Sequence, residues 1–76
     1  MNGATRPRVR FDTEKVAYDM AAKGWQSKDL AAAADVSEMT ISRFLRSETQ
    51  TVKTAQKIAL ALGRSPRYYV LREEAA

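Results

Sequence analysis

The sequence predicts an all-α fold: a compact bundle of about five short helices over residues 11–76, behind an extended basic arm at residues 1–10. Three observations carry this prediction. Apolar residues recur at spacings of three and four from residue 16 onward, the recurrences are separated by N-capping residues and helix stops, and no alternating strand pattern follows residue 11.

The chain has 76 residues, enough for one small domain, with no room expected for a separate effector or oligomerisation domain. It has no Cys and no His, which excludes disulfides, thiolate chemistry, histidine general base catalysis and the usual zinc sites. Neither enzymatic activity nor a cofactor is expected: Asp12, Glu14, Asp19 and Asp29 are spaced like solvated acids on helix surfaces. No apolar run approaches the roughly 18–20 residues that span a bilayer, and the N-terminus carries charge where a signal peptide needs an apolar stretch. A soluble cytoplasmic protein without membrane contact is the expectation. Net charge is +4, and its distribution is uneven: residues 1–10 hold Arg6, Arg8 and Arg10 with no acid, whereas the remainder holds ten basic and nine acidic residues. A basic arm on a nearly neutral body suits an acidic partner such as nucleic acid, and equally a solvated tail.

Each element has its own signals. Pro7 among arginines makes the arm extended or disordered; if extended, as an edge strand or a free arm, Arg6, Arg8 and Arg10 share one side and Val9 and Phe11 the other. The first helix starts at the Asp12 cap, with Phe11 and Val16 as a hydrophobic staple; Val16, Ala17, Met20 and Ala21 form its stripe, and Gly24 stops it. Trp25 in the following turn reads as core, with stacking on a base as the alternative. The second helix runs over Ser27–Ala34 with Leu30, Ala31 and Ala34 inward. The third follows Ser37 as N-cap, with Val36 packing inward ahead of it. Ile41, Phe44 and Leu45 fall on its inner face, and Met39, Ser42, Arg43 and Arg46 on the opposite one. Glu38 and Thr40 lie on its flanks. The fourth starts near Thr51 with Val52, Ala55, Ile58, Ala59 and Leu62 inward, and ends at Gly63. A last helix opens with Ser65 as cap and Pro66 at its first position, then runs through Tyr68, Tyr69, Val70 and Leu71.

Only Asp35, Val36 and Ser37 connect the second helix to the third, a link that makes two short helices cross steeply: the helix-turn-helix geometry. Small residues Ala31–Ala34 allow close approach, and the next helix keeps a polar, basic outer face. Two segments, Ser27-Lys-Asp-Leu-Ala-Ala-Ala-Ala-Asp-Val-Ser-Glu-Met-Thr-Ile-Ser-Arg-Phe-Leu-Arg46 and Thr54-Ala-Gln-Lys-Ile-Ala-Leu-Ala-Leu-Gly63, resemble the Cro and phage-repressor, or Xre-type, helix-turn-helix proteins. The resemblance implies a lambda-repressor-like five-helix domain whose third helix lies in the major groove of double-stranded DNA. The family's base-reading positions fall on Glu38, Met39, Ser42 and Arg43. Three departures stand out: Asp35 replaces the usual turn glycine, Gln26 and Ser27 reverse the usual order at the start of the second helix, and Leu45, Arg46 and Ser47 replace a Glu followed one residue later by Gly. Leu45 implies that the family's usual buried ion pair has become a hydrophobic contact.

Chemistry assigns the roles. Arg43 can bond guanine O6 and N7 with one planar fork, or serve as a phosphate contact or a solvated charge. Ser42 is weakly selective; Met39 meets a thymine methyl or fills groove space, or else packs on the second helix. Phosphate contacts are expected from Ser27, Lys28, Arg46, Thr49, Thr51, Lys53 and Thr54. Arg6, Arg8 and Arg10 would enter the minor groove or track phosphates. The leading expectation is a sequence-specific repressor acting by promoter occlusion; a protein interaction module or an antitoxin on the same fold is the alternative. A homodimer through Tyr68, Tyr69, Val70 and Leu71 would suit a two-fold operator, although those residues could instead close the core.

Overall fold

Four helices, a 3-10 turn and two short strands make up the computed structural model, which describes residues 8–74. The order is β1 (Arg8–Phe11), α1 (Thr13–Ala22), α2 (Ser27–Ala34), α3 (Glu38–Leu45), α4 (Val52–Ala61), the 3-10 turn Pro66–Tyr69, and β2 (Val70–Glu74). Asp12, Ser37 and Thr51 cap α1, α3 and α4 through side-chain oxygens that accept the N–H of Lys15, Thr40 and Thr54. At α2 the Asp29 carboxylate reaches back to accept the Gln26 N–H at 2.7 Å.

All four helices stop in the same way. A left-handed residue follows each, at Gly24 (φ 71°), Asp35 (φ 59°), Ser47 (φ 61°) and Gly63 (φ 75°). In each case the next N–H folds back to a carbonyl in the last turn: Trp25 to Met20, Val36 to Ala31, Glu48 to Arg43 and Arg64 to Ala59. The left-handed region costs an L-residue about 1–2 kcal/mol, less for Asp, whereas Gly enters it freely but loses more entropy on folding. Ser47→Gly should therefore stabilise the domain by about 0.5–1 kcal/mol, a rise in Tm of several degrees in a thermal melt, and Asp35→Gly by less. A lower Tm for Ser47→Gly would show that the serine side chain does more there than tolerate the turn.

The core comprises Phe11, Val16, Met20, Leu30, Ala31, Ile41, Phe44, Ala55, Ile58, Ala59, Leu62 and Tyr69, with Trp25, Val36, Leu45 and Ala61 half-buried against it. Within it, α2 packs on α3 and α4, and α1 packs on α3 and the 3-10 turn. Leu30, Ala31, Ala34, Ile41 and Phe44 are buried as expected.

The stripe on α1 is rotated from the expected one: Ala17 and Ala21 are exposed, and Asp19 is buried beside Val16 and Met20. On a helical wheel Asp19 lies about 60° from Val16 on one side and Ala17 about 100° away on the other, so the arc centred on Val16 takes the acid and leaves the alanines out. Val52, expected inward, is 54% exposed, because it stands in the first turn of α4, about 70° from the centre of that helix's buried arc.

The larger correction concerns the ends. No helix continues through Val70 and Leu71: after one 3-10 turn the chain becomes β2 and pairs antiparallel with β1. The helical, helix-turn-helix body is as expected, and a two-stranded sheet is added to it where these two segments pair. The register sets Arg8 opposite Glu74, Val9 opposite Glu73, Arg10 opposite Arg72 and Phe11 opposite Val70, with Leu71 as the extra residue of a bulge. The physical reason is that each segment supplies the other's backbone partners, beginning with the Asp12 N–H, which donates to the Tyr69 carbonyl at 2.6 Å. Alternation is not visible in five residues whose pairing partner lies some sixty positions away.

Candidate nucleic-acid interface

The outward face of α3 is built by the inward one. Burial of Ile41 and Phe44 fixes the rotation of the helix and turns Met39, Arg43 and Arg46 to solvent, Met39 being 60% exposed, with Ser42 half-buried at the margin. Met39 and Arg43 stand four residues apart, hence one above the other on that face. Ser37 caps the helix and its Oγ lies 2.8 Å from Thr40 Oγ1, so Thr40 belongs to the cap. Glu38 stands in the first turn, exposed, where the positive end of the helix favours a carboxylate by a few tenths to about 1 kcal/mol.

At the other end Arg46 closes α3, its Nε 3.3 Å from the Glu48 carboxylate. Both side chains are more than half exposed, and a surface pair of this kind contributes about 0–1 kcal/mol, so a phosphate can compete for the guanidinium. Thr49 is exposed in the same loop.

The N-terminal turns of α2 and α4 carry the other expected contacts. Ser27 is half-buried and Lys28 exposed at the start of α2. In α4 the Thr51 hydroxyl is engaged by the cap: it accepts the Thr54 N–H at 3.1 Å and donates to Thr54 Oγ1 at 2.9 Å. Thr54 keeps its own O–H for donation outward, beside exposed Lys53 and the free N–H groups of the first turn.

The expected arm divides. Arg6 lies outside the described residues, whereas Arg8 and Arg10 belong to β1, with Arg10 exposed. Of the residues expected at a dimer contact, Tyr69 is 1% exposed and belongs to the core, and the Tyr68 ring has Lys15 Nζ 4.6 Å and the Arg64 guanidinium 4.3 Å from its centroid. Val70 and Leu71 remain exposed at 37% and 57%.

Away from these residues in the chain, α1, the loop after α4 and the 3-10 turn share a polar cluster that the spacing of acids did not reveal. The Asp19 carboxylate, 6% exposed, accepts hydrogen bonds from Arg64 Nε at 3.1 Å, Arg64 Nη2 at 3.2 Å and the Tyr69 hydroxyl at 2.5 Å. Burial alone would push this carboxyl up, but the bonds from Arg64 and Tyr69, with the charges of Arg64 and Lys23, outweigh it and hold Asp19 below the ordinary carboxylate range. The Tyr69 hydroxyl is pushed up by burial and then by the Asp19 carboxylate, and Arg64 is raised by its bond to Asp19. One buried ionic contact thereby joins α1, the residue after the Gly63 turn and the 3-10 turn. The sequence did hold a signal, since Asp19 lies three residues from Val16 and Arg64 follows a helix-ending glycine.

Two short helices crossing at a left-handed turn, the second with its basic face outward and helix starts beside it, define a helix-turn-helix DNA-binding domain. Residues 17–69 match the helix-turn-helix family model, and the chain belongs to that family, of the Xre/Cro type. It is a DNA-binding protein of the transcription-regulator kind. No curated protein and no solved structure gives a significant match. Among the described residues no helix is long and apolar enough to cross a membrane.

Proposed function

We propose that the protein is a small sequence-specific repressor of the Cro-like or phage-immunity kind, which binds double-stranded DNA and blocks promoter access. The observation that carries this reading is the exposed face of α3, where Met39 and Arg43 rise from a helix whose rotation the core fixes. Arg43 reads guanine, Met39 contacts a thymine methyl, Ser42 bonds base edges at the margin, and Glu38 accepts from cytosine N4. Ser27, Lys28, Arg46, Thr49, Lys53 and Thr54 hold the phosphates on either side, Thr51 serves there as the cap that orders the first turn of α4, and Arg6, Arg8 and Arg10 add charge from the N-terminal segment. One helix of eight residues reads about half a site, so two copies meet on a two-fold operator, with Val70 and Leu71 supplying exposed apolar surface for that contact.

Selection of bound duplexes from a random pool tests the whole reading. A palindromic motif is expected; recovery of unenriched sequence, with binding insensitive to salt, would remove it. Glu38→Gln tests the acid separately. If Glu38 discriminates among bases, the preference at a single base pair relaxes in the selected motif. Uniformly tighter binding to all DNA, with the motif unchanged, would leave Glu38 as a helix-end charge only.

A further inference from the structure

Gln50, between α3 and α4, joins two segments that carry arginines, β1 and the end of α3. Its Nε2 donates to the Phe44 carbonyl at 3.1 Å and to Ser47 Oγ at 3.5 Å, while its Oε1 accepts the Phe11 N–H at 3.4 Å. Phe11 is the last residue of β1, Phe44 lies in the last turn of α3, and their rings stand 5.8 Å apart. The bridge needs a donor at one end and an acceptor at the other, and a carboxamide supplies both without burying charge. A carboxylate would set oxygen against the Phe44 carbonyl, and an apolar side chain would leave both backbone groups without this partner. Gln50 is half-buried and stands apart from the outward face of α3.

We propose that Gln50 is a positioning residue for DNA binding: it holds the base of β1 against the C-terminal end of α3, so that the segment carrying the β1 arginines and the helix carrying Arg43 and Arg46 meet one duplex in a fixed relation. This rests on the reading that the arginines of the N-terminal segment contact DNA. Anchoring the strand at α3 raises the effective concentration of those arginines at the phosphates beside the recognition helix. Without the bridge, β1 keeps β2 as its partner and the ring contact between Phe11 and Phe44, but loses the hydrogen bonds that fix its backbone to the end of α3.

The test is a double-mutant cycle on a mixed-sequence duplex about three helical turns long. Gln50→Met, which keeps length and bulk, is measured in the native background and in one with Arg6, Arg8 and Arg10 changed to Gln. Folding is checked by circular dichroism at the assay temperature. The expected result is about three- to ten-fold weaker binding in the native background and no further loss once the arginines are neutral. An equal loss in both backgrounds would overturn the proposal, since Gln50 would then act on the body of the domain. If neutralising the arginines leaves affinity unchanged, the arm contact fails and the proposal with it. If the unaltered protein shows no salt-dependent binding, the failure lies in the repressor reading. Where Gln50→Met does not fold, Gln50→Asn, an uncharged and shorter amide, runs the same cycle without adding a charge that would couple to the arginines.

Discussion

Replacing Asp19 with Ala should cost the domain about 2–4 kcal/mol. The variant removes three hydrogen bonds to a charged acceptor, each of a type worth about 1.5–3 kcal/mol in mutational series, and the losses overlap because they share one group. Arg64, whose side chain is 43% exposed, recovers water; Tyr69, 1% exposed, does not, and its hydroxyl is left without its partner. A domain of this size has on the order of 4–11 kcal/mol in total, so Tm should fall by more than about 10 °C. The pH dependence carries a second signature. Asp19 titrates below its ordinary value of 3.8 in the folded protein, so its contribution is complete above that value and is lost as pH falls through the depressed one. Asp19→Ala should therefore lose less stability than the native protein on acidification below about pH 4. A variant that melts within about 2 °C of the native protein would show that the cluster contributes nothing net, as some buried ion pairs do.

The second large effect belongs to Arg43. Arg43→Ala should weaken binding to the selected operator by about 5- to 150-fold, corresponding to 1–3 kcal/mol for a bidentate contact with guanine. A mixed-sequence duplex should lose far less, and the preference at one base pair should flatten. Competition titration of the two duplexes at constant salt separates these outcomes. An equal loss on both would make Arg43 a phosphate contact, and sequence reading would then fall to Met39, Ser42 and Glu38.

Local signals in the sequence account for most of the helical body. Caps at Asp12, Ser37 and Thr51, stops at Gly24 and Gly63, and inward triples such as Leu30, Ala31 and Ala34 each depend on residues within one or two helical turns. The outer face of α3 was legible for the same reason, because the side opposite Ile41 and Phe44 must face out. The errors share a different origin. Asp19 looked solvated because acids usually are, and the partners that allow its burial lie 45 and 50 positions further on. Val70 and Leu71 looked helical because their neighbours Tyr68 and Tyr69 are apolar, and nothing nearby announces a strand partner at the other end of the chain. Gln50 carried no pattern at all, since one bridging amide has no period.

The sequence by itself determined where helices begin and end and which face of α3 is left for a partner. These follow from capping chemistry and from the 3.6-residue period, both of which act over a few residues. Only the tertiary structure decided how the ends of the chain meet, which acid is buried in α1 and how β1 is tied to the recognition helix. Each of those outcomes requires a donor and an acceptor from distant segments, and the desolvation of a polar group is compensated only once the fold has brought both to the same place.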